Sequence, residues 1–85
     1  MKDIIALRSK AKSLSPILRI GKSGLTESML YEIEKNLSKR SLIKIKLLRA
    51  SFDKKSKDDL INSILQNTHS KLVESVGNIV VIFRA

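Results

Sequence analysis

The sequence predicts a small α/β domain with its elements in the order αβαβαββ. Two patterns point to this class. Apolar residues recur every three or four positions in three segments, and they alternate or run together in four others. Pro16, Gly21, Gly24 and Gly77 punctuate the boundaries between them. With 85 residues there is one domain, spanning 1–85, and a chain of that size buries only about 60–65% of its unfolded surface.

Ile4, Leu7, Ala11 and Leu14 form one stripe of a first helix, with Asp3 at the N-cap position and Arg8, Lys10 and Lys12 on the other face. Ser15-Pro16 ends it, because the residue before a proline avoids the helical region. Ile17 to Ile20 is a short apolar run suited to a buried strand. Gly21-Lys22-Ser23-Gly24 then leads into a second helix. Thr26 is its N-cap, Leu25 and Leu30 occupy the staple positions, and Glu27 suits the positive helix end. Leu25, Met29, Ile33 and Leu37 mark the inner face, and Lys39-Arg40 closes the helix.

Ser41 to Arg49 reads as a strand, with Ile43, Ile45 and Leu47 alternating with Lys44 and Lys46. Ala50 to Lys55 is a loop. Ser56 and Asp59 have the spacing of a capping box for a third helix, whose face is Leu60, Ile61, Ile64 and Leu65 and which frays near Asn67 to His69. Lys71 to Val76 is a strand, Gly77-Asn78 a tight hairpin turn, and Ile79 to Arg84 a nearly all-apolar strand expected at the centre of the sheet. Phe83 belongs to the core.

Charge narrows the function. Seventeen Lys and Arg oppose eight Asp and Glu, for a net +9. Residues 1–49 hold twelve of the basic and four of the acidic residues, so their net charge is +8. Two basic clusters result: Lys2, Arg8, Lys10, Lys12, Arg19 and Lys22, then Lys35, Lys39, Arg40, Lys44, Lys46 and Arg49. A face of this sign favours a polyanion, with nucleic acid ahead of an anionic membrane. There is no cysteine and one histidine, which removes disulfides, thiolate catalysis and Cys- or His-rich metal sites. No apolar run has the roughly 18–20 residues of a membrane span, and no compact apolar stretch marks a secretory signal. A cytoplasmic chain is expected.

The glycine loop carries the chemistry. Between a strand and a helix N-terminus, glycines let a ligand approach the backbone, amides point outward and Lys22 adds a cation, which together suit a phosphate. Gly21-Lys22-Ser23 also ends like a P-loop, but the first glycine of that motif would fall on Pro16 and the intervening residues are the apolar strand. His69 reads as a helix-end residue, and Asp58-Asp59 as a helix start, since adjacent helical residues do not face one another. Tyr31, Phe52 and Phe83 are too scattered for a base-stacking platform. No nucleophile, base and orienter can be assembled, so no enzyme and no cofactor is expected.

From Ile20-Gly21-Lys22-Ser23-Gly24-Leu25-Thr26-Glu27 through Ile33-Glu34 to Leu42-Ile43-Lys44-Ile45-Lys46, the chain resembles the CRM domain (chloroplast RNA splicing and ribosome maturation), above all its stand-alone YhbY-like form. Pro16 and the ending Val76-Gly77-Asn78-Ile79-Val80-Val81-Ile82-Phe83-Arg84 match as well. Lys12 stands where the family places a histidine. The resemblance implies a four-stranded mixed sheet with packed helices, similar to the C-terminal domain of bacterial translation initiation factor three. It also implies RNA binding through the G-x-x-G loop, here Gly21, Lys22, Ser23 and Gly24, and association with precursors of the large ribosomal subunit.

The expected protein is therefore a monomeric, non-enzymatic binder of structured RNA, ribosomal RNA in particular. The loop seats a phosphate while Arg8, Lys10, Lys12, Arg19, Lys39, Arg40, Lys44 and Lys46 track its neighbours. A KH-like domain is a rival, although there the G-x-x-G joins two helices. A protein-binding module on ribosomal particles is another.

Overall fold

The structure is a computed structural model and describes residues 4–52 and 55–85. Its elements are α1 (Ile4–Ala11), β1 (Leu18–Ile20), α2 (Glu27–Arg40), β2 (Leu42–Leu47), a 3-10 turn (Arg49–Phe52), α3 (Lys57–Thr68), β3 (Lys71–Val76) and β4 (Ile79–Phe83). The expected order αβαβαββ holds. The Asp3 cap, Lys2 and part of the 50–55 loop lie outside the described residues.

The four strands form one mixed sheet in the order β1-β2-β4-β3. β1 runs parallel to β2, and the other pairs are antiparallel. β4 is central, as its composition requires, and Val80, Val81 and Ile82 are all buried. Alternation sorts the side chains onto two faces. Ile20, Ile43, Ile45, Leu47, Val80 and Ile82 meet Ile33 and Leu37 of α2 and Leu60 and Ile64 of α3. On the other face Leu42, Val73 and Val81 meet Ala11 of α1, with Ile4, Leu7, Leu14 and Phe83 packed around them. Burying each of the larger aliphatic side chains contributes about 1.5–3 kcal/mol, so both helical layers are anchored to the sheet.

The caps work as their residue types dictate. The Thr26 hydroxyl accepts the Met29 amide at 3.1 Å and the Ser56 hydroxyl accepts the Asp59 amide at 3.2 Å. Four expectations are corrected. β1 is an edge strand with only Ile20 fully buried, because it has a partner on one side alone. β2 is shorter than 41–49, because Ser41 takes a positive φ of 64° after α2 and residues 49–52 coil into the 3-10 turn. α3 does not fray at 67–68, since Thr68 is buried and its hydroxyl donates to the Ile64 carbonyl at 2.7 Å. Phe83 is half-buried against the α1 layer rather than enclosed.

Candidate nucleic-acid interface

The strand directions gather one end of the molecule. β1 and β2 both finish there, β3 finishes and β4 begins there at the Gly77-Asn78 turn, and α2 and α3 start there. The glycine loop sits at this end. Its turn is closed by the Gly24 amide donating to the Gly21 carbonyl at 2.9 Å, and the Thr26 amide returns to the Gly24 carbonyl at 3.2 Å. Gly24 has φ of +69°, a conformation that favours glycine. Gly21 does not, and a methyl group placed on it would make only ordinary contact with Leu48 at 3.6 Å. Lys22 and Ser23 are exposed at the tip. Among the described residues no backbone acceptor takes the amides of Lys22, Ser23 or Leu25, and in the first turn of α2 those of Glu27 and Ser28 are likewise without one, the Met29 and Leu30 amides being taken by the Thr26 hydroxyl and carbonyl. The loop thus presents several donors and a cation on one short stretch of chain.

Two further cations border it on the sheet. Arg19 and Lys46 are register partners across β1 and β2, and the same row continues through Ile79 to Val76. Their strand neighbours Ile20, Ile45 and Leu47 face the α2 and α3 layer, so this row lies on the α1 face. The cluster α1 forms there with Leu42, Val73 and Val81 takes in no member of the row. Arg19 and Lys46 are exposed, and Val76 is 61% exposed. Among the described residues the ion pairs are Lys35 with Glu32 and Arg84 with Glu34. Arg19, Lys22 and Lys46 therefore have no carboxylate partner among the described residues, and like charges side by side on a sheet repel.

The remaining basic residues separate. Lys10 and Lys12 are exposed on and after α1. Arg8 donates from Nε to the Val73 carbonyl at 3.1 Å, at the irregularity between Leu72 and Glu74 of β3. Lys44 is half-buried and donates to the Leu14 carbonyl at 3.0 Å, holding the chain after α1 against the sheet. Lys39 and Arg40 end α2, whose 14 residues carry them about 20 Å from the loop. That exceeds two Debye lengths at physiological salt, roughly 8 Å each.

Sequence reasoning passed over Lys55 and Lys57. Lys57 donates to the Gly77 carbonyl and so ties α3 to the hairpin turn. Lys55 borders a hollow of about 290 Å³ with the glycine loop. A signal existed in the two lysines flanking the Ser56 cap, but the near-neutral charge of residues 50–85 hid it. A larger, mainly apolar hollow of about 650 Å³, lined by Ile4, Leu7, Leu72 and Phe83 among others, lies at the opposite end of the sheet. Among the described residues no helix is long and apolar enough to cross a membrane.

The comparisons with known proteins agree with this architecture. The solution structure of the hypothetical protein SAV1595 from Staphylococcus aureus superposes with a TM-score of 0.79 at 38% identity, covering 96% of this chain and 83% of that one. The Bacillus subtilis (strain 168) protein named "Probable RNA-binding protein YqeI" is 35% identical over 92% of this chain and 79% of its own length. A Haemophilus influenzae protein named "RNA-binding protein" is 38% identical over 92% of this chain and 77% of its own. The family model for the CRS1/YhbY (CRM) domain matches residues 1–84, and the chain belongs to that family.

Proposed function

We propose that the protein binds structured RNA without transforming it, gripping the phosphate backbone at the loop end of the sheet. The observation that carries this reading is the convergence there of free amides, the exposed Lys22 and the carboxylate-free pair Arg19 and Lys46. One phosphate sits at the G-x-x-G turn, where the Lys22 and Ser23 amides and the N-terminus of α2 face it. Arg19 and Lys46 neutralise flanking phosphates along the open row of the sheet, and Lys10 and Lys12 extend the field across α1. Arg8 and Lys44 act chiefly by fastening α1 to the sheet. Lys39 and Arg40 supply only long-range attraction. Contacts of this kind position the RNA, and its shape supplies discrimination.

The relatives named as RNA-binding proteins support the choice of polyanion. We assign the action to large-subunit ribosomal RNA or its precursors, by a cytoplasmic monomer. The test is affinity for a structured fragment of that RNA as salt is varied. A footprint of about five phosphates gives log K a slope near −4 against log[salt]. Affinity that stays flat across the salt series contradicts the backbone grip.

A further inference from the structure

The hollow beside the glycine loop has a composition that a phosphate grip does not explain. It is lined by Lys22, Ser23, Lys55 and Ser51, with apolar surface from the partly buried Leu25 and the core residue Leu60 closing it. Its volume of about 290 Å³ exceeds what one phosphate occupies. Leu60 is 1% exposed, and Leu25 packs against the core cluster that holds it, so the apolar wall Leu25 presents is backed by the core. Ser51 is also fixed, being buried with its hydroxyl donating to the Leu48 carbonyl at 2.6 Å. Lys55 donates to the Ser63 hydroxyl at 3.1 Å and keeps further protons for a ligand. Among the described residues no carboxylate lines the hollow. Asp58 and Asp59 belong to the first turn of α3 and lie outside its lining.

We propose that this hollow receives a single unpaired nucleotide turned out of the RNA, its base on Leu25 and its phosphate between Lys22 and Lys55. The inference rests on the RNA-binding reading and deepens it. A cationic rim alone serves any polyanion, but the apolar wall that Leu25 adds next to it rewards a planar base that has left its stack. The RNA class selected is then a helix interrupted by a bulged or looped-out nucleotide, rather than a continuous duplex. Discrimination follows from which sites can release a nucleotide cheaply, which needs no reading of base edges in a groove.

The experiment uses the full chain and two fluorescently labelled single-stranded RNAs, an oligouridine and its counterpart with one central abasic nucleotide. Phosphate number is equal, so the salt slopes should be parallel. The intact strand should bind roughly fivefold or more tightly, the low end of what one base contact contributes. On titration with the intact strand, the backbone amide signals of Ser51 and Leu60 should shift, and with the abasic strand they should not. Equal affinities for the two strands overturn the nucleotide pocket while leaving the backbone grip standing. Tighter binding of the intact strand with unmoved Ser51 and Leu60 signals places the base elsewhere and also overturns it. Binding of neither strand, nor of a structured ribosomal fragment, removes the RNA reading and the pocket together.

Discussion

The Gly24 amide donates to the Gly21 carbonyl at 2.9 Å, and of these two glycines only Gly24 occupies the left-handed region. The motif's two glycines therefore do different things. Gly24 is required by the turn. Gly21 has room for a side chain and an ordinary φ, so a need for glycine there comes from outside the folded chain.

Alanine substitution separates the two roles. Gly24→Ala should cost about 1–2 kcal/mol, the penalty of a left-handed residue with a Cβ, and lower the melting temperature by roughly 4–8 °C per kcal/mol. Gly21→Ala should melt within a few degrees of the parent but bind RNA several-fold more weakly, because in the proposed grip the phosphate comes close to the backbone there. The measurements are thermal melting by circular dichroism and RNA affinity at fixed salt. Unchanged affinity in Gly21→Ala would remove the close-approach argument.

Arg84 fastens three elements. One of its guanidinium nitrogens reaches both carboxylate oxygens of Glu34 at 2.8 and 2.9 Å and the Thr68 carbonyl at 2.8 Å, and the other reaches the Ser38 hydroxyl at 3.3 Å. Lysine offers one nitrogen in place of two and cannot serve Ser38 together with Glu34 and Thr68. Arg84→Lys should cost about 1–2 kcal/mol, and Glu34→Gln less than about 1 kcal/mol, because the carboxylate is 42% exposed and solvent screens the pair. Chemical denaturation reads both. Equal, negligible losses would mean that the pair is ornamental.

Ser41 is a site for stabilisation. It follows α2 with φ 64° and ψ −41°, a sparsely populated region for a residue with a Cβ. The bonds it makes there are from its backbone: its amide donates to the Leu37 carbonyl and its carbonyl accepts the Arg84 amide, each at 2.9 Å. Ser41→Gly keeps both and should raise stability by about 1 kcal/mol, seen as a higher melting temperature. A lower melting temperature would show that the side chain contributes more than the strain costs.

The basic residues at the two ends should behave differently. Removing Arg19 and Lys46 together should reduce the salt slope by close to two phosphates' worth and weaken RNA binding strongly. Removing Lys39 and Arg40, about 20 Å away along α2, should change association at low salt and little at physiological salt. Equal effects of the two double substitutions would contradict the placement of the RNA at the loop end.

Elements were legible where residue type and period agree. Ile43, Ile45 and Leu47 against Lys44 and Lys46 declare a strand, and Thr26 and Ser56 declare helix starts. The glycine loop's position between a strand and a helix was equally plain. Groupings in space were not. Lys39 and Arg40 precede Lys44 and Lys46 in the chain, yet a reversal of direction and most of the length of β2 separate them from Lys46. Arg19 and Lys46 are neighbours only because β1 and β2 pair in parallel. Glu34 reads as a solvated helix carboxylate until β4 brings Arg84 to it across 50 residues. Ser41's positive φ left no trace, since no glycine marks it.

The central claim is that the G-x-x-G turn is itself the phosphate site. Replacing Lys22 and Ser23 together with Asp tests it most directly. Both glycines stay, both side chains are exposed, and stability should move by less than about 0.5 kcal/mol. The new carboxylates would occupy the anion site, cancel Lys22 and repel the incoming phosphate at the positive end of α2. The measurement is affinity for a structured ribosomal RNA fragment at fixed salt, on protein whose melting curve matches the parent. The account predicts that most of the affinity is lost. A double-Asp protein that melts normally and binds RNA as the parent does would contradict it, and would reduce the loop to a turn between β1 and α2.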